Sequence, residues 1–469
     1  MDALIDLLNT FFWSYVLIYG LLAVGVFFTL RLGLIQFRHF PEFFRLGRGS
    51  RGDRSGITPF QALCTTLASR VGTGNIAGVA VALNLGGPGA IFWMWMVALV
   101  GMATAYAEST LGQLYKTRDE RGGYRGGPAF YMEKGLNARW AGVVFSVCLI
   151  LTFGLAFNAV QANSIAEAVQ EAFGVPKLAV GVGVAILAAA VIFGGVRRVA
   201  SISEMLVPFM AIAYVLVALY VVIVRYDAVP AVLASIVKSA FGWHEAAGGV
   251  AGSVTAAMLN GVKRGLFSNE AGMGSAPNGA ALATPVPHHP ASQGFVQALG
   301  VFIDTIVICT ATALMILLSG TLQPGSELTG TKLTQAAISV HIGAAGDYFV
   351  ATAIFFFAFT SIIANYVYAE NCMVYLGLGG RGPVTGLRLA AMAMVMWGSY
   401  ETVATVFNAA DASMGLMATI NLVAIVLLSG TVAALTRDYF EQKKRGREPR
   451  FRAAEHKTLR GQVDAQIWR

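Results

Sequence analysis

Charged side chains are scarce in this sequence. Asp, Glu, Lys and Arg make up 12% of its 469 residues, about half the share usual in a soluble domain, while apolar residues make up 56%. A soluble fold of this size has too much surface to cover with so few charges. A soluble enzyme, a disordered regulator and a secreted disulfide scaffold are therefore excluded. Cysteine is scarce too. Cys64, Cys148, Cys309 and Cys372 all lie in apolar runs, none at metal-ligand spacing, and read as small packing residues. There is no Walker motif, no HExxH and no GxSxG, so ATP is not the energy source and no common hydrolase motif is present. His288 and His289, beside Pro290, read as an exposed pair rather than a metal site. No residue is expected to do covalent chemistry.

Long apolar segments fill the chain instead, at a mean hydropathy of +0.65. Candidate spans run roughly over 11–30, 57–83, 88–115, 140–172, 177–195, 199–224, 248–286, 291–319, 345–376, 385–402 and 412–435. A helix needs about 20 residues to cross the hydrocarbon core. The expected fold class is an all-α polytopic membrane protein with eleven transmembrane helices. The start, MDALIDLLNT, is acidic and no small-residue cleavage site follows it, so it does not read as a secretory signal.

Charge sets the expected orientation. With the N-terminus outside, 26 of the 33 Lys and Arg residues fall in inner segments, four (Lys177, Arg225, Lys238 and Lys332) fall in outer ones, and three lie within spans. This is the asymmetry of the positive-inside rule. The net charge of +8 thus reports topology and not a nucleic-acid partner. A multi-pass protein of the inner (plasma) membrane, with a cytoplasmic C-terminus, is expected. The tail QKKRGREPRFR reads as a stop-transfer and solubilising segment, with contact to anionic lipid as the alternative. Segments 228–241 and 331–342 have helical periodicity and read as short outer helices or ordered vestibule loops.

Two spans are interrupted in a way that ordinary packing does not require. Leu67-Ala-Ser-Arg-Val-Gly-Thr-Gly-Asn75 places Arg70 two residues before a Gly-x-Gly at membrane depth, and Phe267-Ser-Asn-Glu-Ala-Gly-Met-Gly-Ser-Ala-Pro277 does the same with Glu270. Unwound backbone survives there only where protein or water satisfies its polar groups, and paired interruptions in corresponding halves point to a transporter site. Each broken span opens a set of five. Five is odd, so the second set crosses with opposite polarity. The expected organisation is residues 1–56 (an extra helix and basic loop), 57–224 (first repeat), 225–247 (outer segment), 248–435 (second repeat) and 436–469 (basic tail). Helix ends at a break offer N–H groups to a carboxylate and C=O groups to a cation. The amides of Thr73 and Gly74 are candidates for the first role, and the carbonyls of Ala68 and Val71 for the second.

The strings ASRVGTGNIAGVAVALNLGGPGAIFWMW and NGVKRGLFSNEAGMGSAP closely resemble the signature regions of the alanine or glycine:cation symporters, and the resemblance runs from about residue 15 to 440. It implies a LeuT-type 5+5 inverted repeat with one additional N-terminal helix. It also implies transport of small neutral amino acids such as alanine and glycine, coupled to Na⁺ or in some members to H⁺. On that resemblance Gly72, Thr73, Gly74, Asn75, Gln161, Phe267, Asn269 and Asn365 would contact substrate, Gln161 through the substrate's amino group. Ala68, Val71, Phe357, Thr360 and Ser361 would hold Na⁺. For Gln161 an interhelical hydrogen bond is the alternative, and for Thr360 and Ser361 bonds to their own backbone. Asn365 stands where many members have an aromatic residue, which leaves open a larger substrate such as glutamine. No protein partner is evident. A channel and an intramembrane enzyme are the rival classes.

The charges within spans are Arg70, Glu108, Lys263, Arg264, Glu270, Asp304 and Glu370, which should be paired. The pseudo-symmetry of the two breaks suggests Arg70 with Glu270. Asp304 is a candidate for cation coupling, with a structural anchor as the alternative, as for Glu108.

Overall fold

In the computed structural model, residues 7, 9–48, 56–120, 122–242, 251–456, 459 and 461–469 are described, with the side chains of 251–253 excepted. Parts of the basic loop at 31–56, of the outer segment at 225–247 and the first residues of the expected span at 248–286 lie outside the described residues. The rest is almost wholly helical.

In chain order the main helices are α1 (Thr10–Arg31), α2 (Phe40–Gly47), α3 (Pro59–Arg70), α4 (Gly74–Gly86) and α5 (Gly89–Leu114). A two-stranded hairpin follows, β1 (Thr117–Arg118) and β2 (Tyr124–Arg125). Next come α6 (Pro128–Leu136), α7 (Arg139–Phe173), α8 (Lys177–Ile192), α9 (Gly195–Val224) and α10 (Val229–Ala240). The second half holds α11 (Ala251–Asn269), α12 (Ala276–Ala280), α13 (Pro290–Ser319), α14 (Gly330–Ile342), α15 (Ala345–Tyr375), α16 (Arg381–Tyr400), α17 (Val403–Leu427) and α18 (Ser429–Lys444).

Among the described residues, seven helices are long and apolar enough to cross a bilayer: α1, α5, α7, α9, α13, α15 and α17. The four other expected spans differ for physical reasons. Two are the broken pairs α3/α4 and α11/α12. α8 has 16 residues, about 24 Å of helix, and α16 carries Arg381 and Arg388. The last expected span, 412–435, is displaced: α17 starts at Val403 and stops at Leu427, and α18 is a separate helix.

Local chemistry explains the ends. Thr58 begins α3 with a capping box: its hydroxyl accepts from Gln61 N–H (3.0 Å), and Gln61 Oε1 accepts from Thr58 N–H (3.1 Å). Gly87, at φ +64°, makes the turn from α4 to α5. Gly89 then lets α5 approach α10, since a Cβ there would lie 2.6 Å from the Ala240 nitrogen.

The tail departs from a purely solubilising role. Phe451, Val463, Ile467 and Trp468 are buried against the bundle, because apolar side chains recur along a segment whose charge alone dominates the sequence reading. Trp468 Nε1 donates to the Leu114 carbonyl (3.0 Å), and Lys116 lies over the Trp468 ring. His289, expected to be exposed, is instead fully buried and caps α13, with its Nε2 3.2 Å from Asp438 Oδ2. Burial holds it below the usual histidine range, against the pull of Asp438.

Candidate functional site

The two breaks meet at the centre of the bundle. α3 ends at Arg70, and Gly72, Thr73 and Gly74 lead into α4, whose first turns (Gly74–Gly78) are π-helical. α11 ends at Asn269. Glu270, Gly272 and Gly274 then take the left-handed conformation, at φ +58°, +86° and +83°. Gly74 faces the other break closely, since a Cβ there would lie 3.1 Å from the Ser268 Cα.

The breaks satisfy their amides differently. In the second, the Glu108 carboxylate accepts from Gly272 N–H (3.3 Å) and Gly274 N–H (3.1 Å), and Asn421 Nδ2 donates both to Glu108 Oε2 (2.9 Å) and to the Gly272 carbonyl (2.9 Å). That loop is closed by a carboxyl group belonging to the protein. In the first break the acceptors are neutral side chains. Thr73 N–H donates to Gln161 Oε1 (2.9 Å), and Gly72 N–H donates to Asn75 Oδ1 (2.9 Å). Gln161 therefore uses its amide oxygen on the backbone, where the sequence reading gives it the substrate's amino group. Glu108→Ala should strand the Gly272 and Gly274 amides, at about 1–3 kcal/mol for each unsatisfied group; a thermal melt of purified protein unchanged by that substitution would contradict this clamp.

The residues expected to hold a cation lie partly together. Ser361 Oγ is 2.8 Å from the Ala68 carbonyl and 3.0 Å from the Phe357 carbonyl, and Thr360 Oγ1 donates to that same Phe357 carbonyl (2.9 Å). Two carbonyls and two hydroxyls from α3 and α15 thus converge, an all-oxygen donor set that suits a hard cation. Val71 is buried where α3 terminates, its N–H on the Leu67 carbonyl (2.7 Å).

Phe267 caps the centre with other rings, its centroid 4.6 Å from Phe157 and 5.5 Å from Phe407. Asn75 and Asn269 face α13 instead. Asn75 Nδ2 donates to Asp304 Oδ1 (2.7 Å), and Asn269 Nδ2 donates to Thr305 Oγ1 (3.2 Å). Asp304, which lies with Thr305 in another π-helical stretch, Phe302–Cys309, also accepts from Ser268 of α11 (2.9 Å) and from Thr305 (2.6 Å). Cys309 is no mere packing residue, since its sulfur lies 3.3 Å from Asn75 Nδ2 and 3.2 Å from Ser268 Oγ. Asn365 bonds to Ser69 and Asn158 and to neither the Gly72 nor the Thr73 amide, which have other acceptors.

The expected Arg70–Glu270 pair does not form. Arg70 Nη1 donates to the Gln297 carbonyl (3.0 Å) on α13, in space left open by Gly300. Ser69, one residue earlier, turns toward Glu270, so adjacent positions on α3 address different helices. Lys263 and Arg264 share one acceptor, Asp411 Oδ2, on α17 (2.6 Å from Lys263 Nζ). Asp411 is missing from the charges expected within spans because the last expected span starts one residue beyond it; the helical run back to Val403 is the signal that could have found it. Glu370 pairs with Arg125 (3.3 Å) at the wall of a cleft of about 880 Å³, which is also lined by Arg118, Asp119 and Arg388.

A family model described as the sodium:alanine symporter family matches residues 1–453. The chain is 48% identical over its whole length to the amino-acid carrier protein AlsT of Bacillus subtilis, covering 97% of that relative. It is 46% identical to the probable sodium/glutamine symporter GlnT of the same organism, over 96% of this chain and 93% of that one. Among solved structures, a manganese transporter from Eremococcus coleocola superposes with a TM-score of 0.52 at 15% identity, over 80% of this chain and 77% of that one; this likeness concerns the fold alone.

Proposed function

The chain belongs to the sodium:alanine symporter family, and from that premise we propose that it is a secondary-active carrier that imports small neutral amino acids, alanine and glycine foremost, together with Na⁺. Its family is one of multi-pass membrane transporters and not of enzymes. In this reading the eleven spans form an inverted 5+5 repeat behind α1, the N-terminus faces outward, and the tail and the 880 Å³ cleft face the cytoplasm.

One observation carries the reading, the contrast between the breaks. Glu108 occupies the amides of the second. At the first, Thr73 N–H is held only by the neutral Gln161 Oε1, which a substrate carboxylate can replace with a stronger, charge-assisted bond. Gln161, so released, turns its oxygen to the substrate's ammonium group. Phe157, Phe267 and Phe407 would border the side chain of the substrate. Na⁺ bound by Ala68, Val71, Phe357, Thr360 and Ser361 ties α15 to the broken helix and favours the state that accepts substrate, and rocking of one helix set against the other then opens the inner cleft. The relative named for glutamine keeps a larger neutral amino acid as the second reading, with Asn365 in place of a bulkier ring.

The test is uptake of labelled alanine into proteoliposomes under an inward Na⁺ gradient, with K⁺ and choline controls. Concentrative, Na⁺-dependent uptake is expected, and its Na⁺ dependence should be lost in Thr360→Ala/Ser361→Ala. Uptake driven equally well by a pH gradient without Na⁺ removes the cation site. No uptake of alanine, glycine, serine or glutamine under either gradient removes the reading.

A further inference from the structure

Glu270 begins the second break in the left-handed conformation, at φ +58°, where glycine is favoured. It is buried, and its side chain enters a chain of hydrogen bonds that joins the second break to α3, α15 and α7. Ser275 Oγ donates to Glu270 Oε2. Glu270 Oε1 is 2.5 Å from Ser69 Oγ, and Ser69 Oγ is 2.7 Å from Asn365 Oδ1. Asn365 Nδ2 donates to Asn158 Oδ1 (3.1 Å), and Asn158 Nδ2 donates to the Gly154 carbonyl (3.0 Å). The last link fixes the rest. Turning the Asn158 amide over would set its oxygen against the Gly154 carbonyl, and turning Asn365 over would set two amide oxygens together.

With both amides fixed, Asn365 presents an oxygen to Ser69. The hydroxyl of Ser69 has one hydrogen, yet its oxygen makes short contacts with two others. Asn365 Oδ1 carries no hydrogen, so the second must come from the carboxyl group. We propose that Glu270 is a proton-binding site, and that its proton, passed in direction through Ser69, sets which face of the Asn365 amide looks toward the centre. Protonated, Glu270 donates to Ser69 and Ser69 donates to Asn365 Oδ1. Ionised, Glu270 takes the Ser69 hydrogen, Asn365 Oδ1 is left against a lone pair, and the Asn365 amide must turn or withdraw.

The charged and titratable groups around Glu270 are Arg70 on α3, Glu108 on α5, Asp304 on α13 and Tyr368 on α15. Arg70 is the only cation of the four. Its guanidinium donates to the Gln297 carbonyl, so it neutralises Glu270 only at a distance. Asp304 and Glu108 are acceptors for their own donors, and Asp304 opposes a further negative charge at Glu270.

Infrared difference spectra of the purified full chain test the proton directly. Glu270→Gln keeps both bonds, with Nε2 donating to Ser69 and Oε1 accepting from Ser275. At neutral pH the wild-type protein should show a protonated-carboxyl absorption that is missing in E270Q, and Ser69→Ala should shift its position. Identical carboxyl absorption in wild type and E270Q, or a band unmoved by S69A, overturns the proposal. The role of Asn365 rests on the carrier reading and is tested separately: the KM for alanine should change several-fold with pH in the wild type and stay at its low-pH value in E270Q. A pH-independent wild-type KM, with the infrared band present, would overturn the coupling to Asn365 while leaving the proton site in place.

Discussion

Gly72→Ala should lower Na⁺-driven alanine uptake by about 100-fold or more, the loss that a misplacement of order 1 Å produces in a preorganised site. A Cβ at residue 72 would collide with Ser361 Oγ and lie 2.8 Å from Gln161 Oε1. One methyl group therefore pushes on the proposed cation and substrate sites together. Neither neighbour can yield freely. Ser361 is held by the Ala68 and Phe357 carbonyls, and Gln161 by the Thr73 amide. Overpacking of this kind destabilises a fold by about 1–3 kcal/mol, too little to unfold a bundle of this size, so the variant should purify normally. Initial uptake rates beside a thermal melt separate the two effects. Near-normal uptake by a folded G72A protein would mean that the first break is not where substrate and cation meet.

Asp411→Ala should have the largest effect on stability. Asp411 is buried on α17 and serves both Lys263 and Arg264 of α11. Arg264 is itself 4% exposed and lies over the Phe267 and Phe407 rings. Removing the acceptor leaves two cations without their counter-ion in a water-poor layer. Breaking a buried pair in this way typically costs about 3–5 kcal/mol, and a shared carboxylate places this case at the upper end. The expected result is a large fall in melting temperature in detergent, partly recovered in Asp411→Asn, which still accepts a hydrogen bond. A D411A protein that melts like the wild type would show the cluster to be solvated.

The broken helices are legible in the sequence because charge, glycine and asparagine inside an apolar run have no other physical excuse. The helix boundaries around 59, 89, 139, 177 and 290 follow from proline, glycine and the end of the apolar runs. Side-chain partners are not legible in the same way. Arg70 and Glu270 stand at matching places in two pseudo-symmetric stretches, but matching places do not fix direction, and a rotation of one residue along α3 sends Ser69 and not Arg70 to Glu270. Asp411 is lost to a boundary placed by hydropathy alone, which cannot see that a carboxylate is paired. The buried tail escapes notice because its basic residues dominate composition while Phe451, Val463, Ile467 and Trp468 are spread thinly among them.

The wide helical turns at Gly74–Gly78, Ile150–Ala156 and Phe302–Cys309 bear on how such a chain tolerates insertion and deletion. A π-helical stretch contains surplus backbone relative to ordinary winding. Taking one residue from Ile150–Ala156 would let the segment close to 3.6 residues per turn, so that what lies beyond it keeps nearly the orientation it had relative to what precedes it. Asn158 and Gln161 lie just beyond. A single-residue gap there would therefore leave the polar face of α7 aimed as before, whereas the same gap in an α-wound part of the helix would turn everything beyond it by about 100°. Sequences that differ in length at these stretches can keep the same side chains facing the centre, and an alignment that slides a gap out of them for tidiness would assign the central residues to the wrong face.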